Sequence, residues 1–150
     1  MNVRDAVVMA FAPTVLVATV ARAQGARWER QVRGQLERAA ALLGARGAGK
    51  SLAARVGTLN TEESESFTLT LQAGVSYIVM GTCDEDCERL DLVLSDVTSH
   101  DLAADRASDN APVVRVTPRE TASYRVRTIM ANCRMNPCWY GLAVLSPRPP

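Results

Sequence analysis

Four cysteines fall in two closely spaced pairs, Cys83-x3-Cys87 and Cys133-x4-Cys138, each just after a stretch with strand character. Thiols at such spacing either oxidise to disulfides or, as four thiolates, hold zinc. In an exported chain disulfides are the expected outcome. Three connectivities are open, and local pairing, Cys83 with Cys87 and Cys133 with Cys138, is the one expected. Closing loops this short should stabilise by about 2 kcal/mol each, so local pairs would mainly stiffen two loops.

Negative charge gathers beside the first pair, at Asp84, Glu85, Asp86, Glu88 and Asp91. Hard oxygen ligands of this kind suit calcium, and Asp84, Asp86 and Asp91 are the candidate ligands, although the Gly of an EF-hand loop is missing. A solvated acidic loop is the competing reading. No other cofactor is implied.

Three further motifs do not carry chemistry. Gly44-Ala45-Arg46-Gly47-Ala48-Gly49-Lys50-Ser51 spells a phosphate-binding loop, yet such a loop must follow a buried strand and open a helix, and this one follows a helical pattern. Ser99-His100-Asp101 holds the only His, but consecutive residues diverge and cannot form a relay. Trp139, Tyr140, Tyr77 and Tyr124 read as core, because aromatics make up only 5% of a chain of net charge +1. Catalysis, nucleotide binding and nucleic-acid binding are therefore not expected.

The elements that must position these residues follow from periodicity. Trp28, Val32, Leu36, Ala40 and Leu43 recur every three or four residues among arginines, which predicts an amphipathic helix over 26–43, capped by Gly44. A Gly-rich linker over 45–50 should follow. The period then becomes two. Phe67, Leu69 and Leu71 alternate with threonines, Gly74 turns the chain, and Val75 to Thr82 runs back. Alternation returns at Leu90 to Ser95, Tyr124 to Met130 and Tyr140 to Val144, with shorter strands near Val56, at 102–105 and at 112–117. Seven or eight strands about ten residues apart predict a mainly β fold, an antiparallel β-sandwich or jelly roll preceded by one helix.

Ahead of the helix, Arg4, the apolar run Ala6 to Val20 and Ala21-Arg22-Ala23 make a signal peptide with cleavage before Gln24; the alternative is an uncleaved membrane anchor. The organisation expected is thus 1–23 signal peptide, 24–50 helix and linker, 51–146 sandwich and 147–150 Pro-rich tail, in the periplasm or outside the cell. Charge is uneven: six Arg and one Lys oppose two Glu from Gln24 to Thr58, and eight Arg oppose thirteen acidic residues from Leu59 onward.

The run Ser66-Phe67-Thr68-Leu69-Thr70-Leu71-Gln72-Ala73-Gly74-Val75-Ser76-Tyr77 resembles the opening hairpin of bacterial pre-peptidase C-terminal domains. Leu90-Asp91-Leu92-Val93-Leu94-Ser95-Asp96 and Ala122-Ser123-Tyr124-Arg125-Val126-Arg127 are similar to two later strands of that family. The resemblance implies a stand-alone sandwich; the family's turn Gly is replaced around Val97-Thr98-Ser99 and at Ala122, and no peptidase domain is attached.

The function expected is a non-catalytic exported module that docks onto a protein partner, as an accessory subunit of an envelope membrane complex. Trp28, Val32 and Leu36 are the expected contact residues. The alternative is a calcium- or carbohydrate-binding module.

Overall fold

A computed structural model describes residues 15–45 and 48–147, with side chains at 24–43 and 51–146. One helix, α1 (Val15–Ala45), precedes eight strands: β1 (Ala48–Leu59), β2 (Ser64–Leu71), β3 (Tyr77–Cys83), β4 (Cys87–Asp96), β5 (Asp101–Asp105), β6 (Val113–Val116), β7 (Ala122–Cys133) and β8 (Cys138–Pro147). They form two four-stranded sheets, A in the order β1-β8-β3-β6 and B in the order β2-β7-β4-β5, and every pair is antiparallel. This alternation of strands between two sheets is a jelly roll.

Period-two patterning fixes the register, since a one-residue slip would turn each strand inside out. From β4 and β7, Leu90, Leu92, Leu94, Tyr124, Val126 and Met130 point inward to meet Val79, Tyr140, Leu142 and Val144 of sheet A. The buried tyrosines keep their hydroxyls bonded: Tyr77 Oη accepts the Gln72 N–H at 3.0 Å, and Tyr124 Oη donates to the Glu120 carbonyl at 2.8 Å.

Two boundaries differ from the sequence expectation. Helix α1 is longer at its start, running through the anticipated cleavage point, because nothing between Val15 and Gln24 breaks a helix. Strand β1 begins at Ala48, inside the expected linker, and reaches Leu59. Its Ala and Gly residues hide the alternation, yet small residues suit an edge strand beneath a helix. Of the signal-peptide expectation residues 1–14, and of the tail residues 148–150, lie outside the described residues. Among the described residues no helix is long and apolar enough to cross a membrane.

Helix α1 lies along the outer face of sheet A. Val32 and Leu36 are buried, and Leu36 packs with Met80, Ala143, Leu145, Val56 and Ile78. Gly141 makes the close approach feasible: a Cβ there would sit 2.6 Å from both Val32 Cγ1 and Leu36 Cδ1. One polar bond helps, from Thr82 Oγ1 to Gln35 Oε1 at 2.8 Å. Among the described residues no helix or strand packs on the outer face of sheet B.

Candidate functional site at the disulfide end

Antiparallel topology sends the β1–β2, β3–β4, β5–β6 and β7–β8 connections to one end of the sandwich. There Cys83 is bonded to Cys87 across the β3–β4 turn, and Cys133 to Cys138 across the β7–β8 connection. All four are buried, and Cys87 faces Cys133 in the β4–β7 ladder. The two staples thus share one piece of sheet.

Polar bonds join the stapled loops to each other. Asp84 donates its N–H to the Trp139 carbonyl at 3.0 Å, and its Oδ2 accepts the Trp139 N–H at 2.8 Å, which continues the β3–β8 ladder beyond Cys83 through a side chain. Asp84 Oδ1 also accepts the Asp86 N–H at 3.3 Å. From the other loop, the Arg134 N–H bonds the Asp86 carbonyl at 2.8 Å and its guanidinium donates to the Glu85 carbonyl. That guanidinium lies 3.8 Å from Asp86 and 3.7 Å from Glu88.

The β1–β2 turn closes the arrangement. Thr61 Oγ1 accepts the Cys133 N–H at 3.0 Å and donates to its carbonyl at 3.1 Å, while the Thr61 N–H bonds Asn136 Oδ1 at 2.9 Å. Glu62, at φ 68°, stands in the left-handed region that non-glycine residues seldom occupy, held by its N–H to the Met130 carbonyl at 2.7 Å. The Asn60 N–H bonds Glu63 Oε2 at 2.8 Å, and that bond holds the Glu63 carboxyl below its ordinary pKa. At the tip of this bonded surface Met135 is 69% exposed.

Asp84 is buried, and desolvation pushes its carboxyl above the ordinary pKa, opposed by the Trp139 and Asp86 N–H groups. For an acid raised in this way, the stabilising contribution is complete below the unfolded pKa and is lost as pH rises through the folded one. Asn at this position keeps an oxygen for the Trp139 N–H and does not titrate. Asp84→Asn should therefore gain stability relative to wild type as pH rises from about 4 to 7. Urea unfolding across that range checks this, and a constant difference between the proteins would refute it.

The expected calcium ligands are not brought together. Asp84 is committed to backbone N–H groups, Asp86 faces Arg134, and Asp91 sits on the outer face of sheet B under a two-pronged pair with Arg89 at 2.8 and 3.1 Å. Among the described residues no three acidic, His or Cys side chains converge as a metal site. The helix residues require a correction as well: Val32 and Leu36 are buried against the chain's own sheet, and Trp28 is half-buried with the Arg27 guanidinium 4.7 Å over its ring. Their apolar stripe meets an apolar stripe on sheet A, so it is not offered to a partner. Nor does charge hold the helix, since among the described residues no ion pair joins it to the sandwich.

Around Ser99-His100-Asp101 the chain makes a turn in which Asp96 Oδ1 accepts from the Thr98 N–H, the Thr98 hydroxyl and the His100 N–H, lowering its pKa. The phosphate-loop lookalike joins a helix to a strand, the reverse of the order its chemistry needs; residues 46–47 of it lie outside the described residues. Thr61, Arg134 and Met135 were not singled out by sequence reasoning. Only the C-x4-C frame around 134–137 pointed to two of them.

No family model and no curated relative matches the chain. Similar solved structures include the pre-peptidase C-terminal domain of a collagenase from Bacillus anthracis, 14% identical, covering 61% of this chain and 87% of that one, with a TM-score of 0.48. Another is PliG of Aeromonas hydrophila, a periplasmic inhibitor of g-type lysozyme, 14% identical over 67% of this chain and 89% of that one, TM-score 0.48. A glycosylation-associated protein complex from Streptococcus agalactiae is similar at 12% identity over 67% of this chain and 39% of that one, TM-score 0.38.

Proposed function

We propose that the chain is an exported, non-catalytic interaction module that binds a protein partner through its disulfide end, as an accessory subunit of a cell-envelope complex. The observation that carries this reading is Met135, a large apolar side chain held out at 69% exposure by a loop that is stapled, bonded to two other loops and unable to collapse. A pre-ordered anchor loses little entropy on binding, and buried anchors of this kind dominate interface energies. The two loops bonded to that of Met135 carry Glu62, Glu63, Glu85, Asp86 and Glu88 against the one Arg134. The partner that fits is a protein with an apolar pocket rimmed by basic residues. Export is supported by the two disulfides, which persist in oxidising compartments, together with the signal-like start of the sequence.

Affinity capture from detergent-solubilised envelope tests the reading. Wild type should retain a stoichiometric partner, and Met135→Arg should weaken that complex by roughly 30-fold or more. Its melting should stay within about 0.5 kcal/mol of wild type, because Met135 packs against little. Equal capture by Met135→Arg, or no partner for wild type, would overturn the proposal.

A further inference from the structure

Among the described residues no other element packs on the outer face of sheet B; Asp91, Val93 and Ser95 of β4 are buried there between their neighbours, while the β2 row is exposed and the β7 arginines are half-buried. Arg125 and Arg127 of central strand β7 point outward, roughly 7 Å apart along the strand. Their cross-strand neighbours on β2 are Thr68 and Ser66, in a row of exposed hydroxyls running from Ser64 to Thr70. On β4 the neighbours are Ser95 and Val93. Among the described residues neither arginine meets a carboxylate: Arg125 Nη1 donates to Ser99 Oγ at 3.1 Å, and Asp91, the acidic residue on that stretch of β4, is already taken by Arg89. Two guanidiniums stand beside the hydroxyl row of β2 without an ion-pair partner among the described residues, the carboxylate of Asp101 on β5 being taken by Arg106.

The face continues toward the end of the sandwich opposite the disulfides. Ser123, the next outward residue of β7, lines a groove of about 600 Å³ with Val97, Leu102, Val116 and Arg119. The carboxylates of Asp96 and Glu120 also line it, so the groove bounds the cationic strip instead of extending it.

We propose that this face binds a linear anionic glycan, whose repeating carboxylate or sulfate groups pair with Arg127 and Arg125 along β7. Planar guanidiniums grip such oxyanions with two parallel hydrogen bonds, and the hydroxyl rows suit the sugar's own hydroxyls. A neutral glycan is disfavoured because no aromatic ring faces outward from these strands; Phe67 and Tyr124 belong to the core side. A bilayer is disfavoured because Arg125 and Arg127 are flanked on β2 by exposed hydroxyls and not by exposed large apolar residues, of which Val97 and Leu102 reach only the groove at the end of the strands.

Calorimetry on the whole protein with oligogalacturonate, dextran sulfate, uncharged dextran and phosphatidylglycerol vesicles tests this. The charged glycans should bind and weaken steeply with salt, whereas dextran and vesicles should not bind. Arg125→Glu with Arg127→Glu should weaken binding roughly 30-fold, and the corresponding Gln variants, which keep the side-chain length, should do so by roughly tenfold. Arg30→Glu with Arg38→Glu, on the exposed side of α1, should change nothing. Equal binding of dextran, equal loss in the helix variant, unchanged binding in both β7 variants, no binding of either charged glycan, or vesicle binding that depends on Arg125 and Arg127 would overturn the proposal.

Discussion

Val32→Asp should cost the protein about 3–5 kcal/mol and free helix α1 from the sandwich, because it places a carboxylate where nothing can pair with it. Val32 is fully buried and seated on Gly141, where even a Cβ would collide with it. The one polar bond nearby, between Thr82 and Gln35, is already formed. The domain can either bury the charge or release the helix. Release gives up the burial of Val32 and Leu36, each worth roughly 1.5–3 kcal/mol, so both routes lead to a similar loss. They differ in what they expose. A freed helix uncovers Val56, Ile78, Met80, Ala143 and Leu145 on sheet A, and the variant should then bind a hydrophobic dye and be cleaved by protease within 24–45. Val32→Ala should lose less and keep the helix docked. A Val32→Asp protein with wild-type urea stability and a protected helix would show that α1 is not part of the folded unit.

That docking could have been read from β8. Tyr140, Leu142 and Val144 face the core, yet Trp139, Gly141, Ala143 and Leu145 between them carry no charge, so the strand lacks the alternation expected of a solvent-facing sheet. A strand apolar on both sides is buried on both sides. In β3, Ile78 and Met80 repeat the message. The helix, with one stripe to bury, supplies the cover. Strand β7 gave the opposite and legible pattern, Tyr124, Val126 and Met130 inward with Arg125 and Arg127 outward. Strand β1 was partly hidden because its small residues carry little hydrophobic signal.

The candidate site was legible to a lesser depth. Spacing indicated the staples, since cysteines four or five residues apart after strands can reach each other across a turn. What the staples are tied to was not legible, because it depends on contacts across long stretches of chain. Thr61 meets Cys133 at a separation of 72 residues, and Asp84 meets Trp139 at 55. A run of acidic residues gives no sign that Asp84 and Asp91 within it are buried while Glu85 and Glu88 stay in solvent. Helix exposure failed as a clue for the same reason, since amphipathicity shows that a face will be covered without showing by what.

Replacing all four cysteines with Ala should produce the largest loss at the disulfide end, at least about 4 kcal/mol, with each pair alone costing about 2 kcal/mol. That total is a large share of the roughly 5–15 kcal/mol that holds a domain together. The two losses should not simply add. While either staple remains, the Asp84–Trp139 and Arg134–Asp86 bonds keep the other loop in place, because Cys87 and Cys133 face each other in one ladder. With both gone these bonds fray together, so the fourfold variant should lose more than the sum of the pairs by roughly 0.5–3 kcal/mol. Urea midpoints of wild type, the two pair variants and the fourfold variant measure this coupling. The same proteins separate stiffness from contact in binding. The fourfold variant keeps Met135 but lets its loop wander, and it should bind the partner more weakly than either pair variant at a temperature where it is still fully folded. Additive losses with unchanged binding would mean that the loops act independently and that their joint rigidity has no part in recognition.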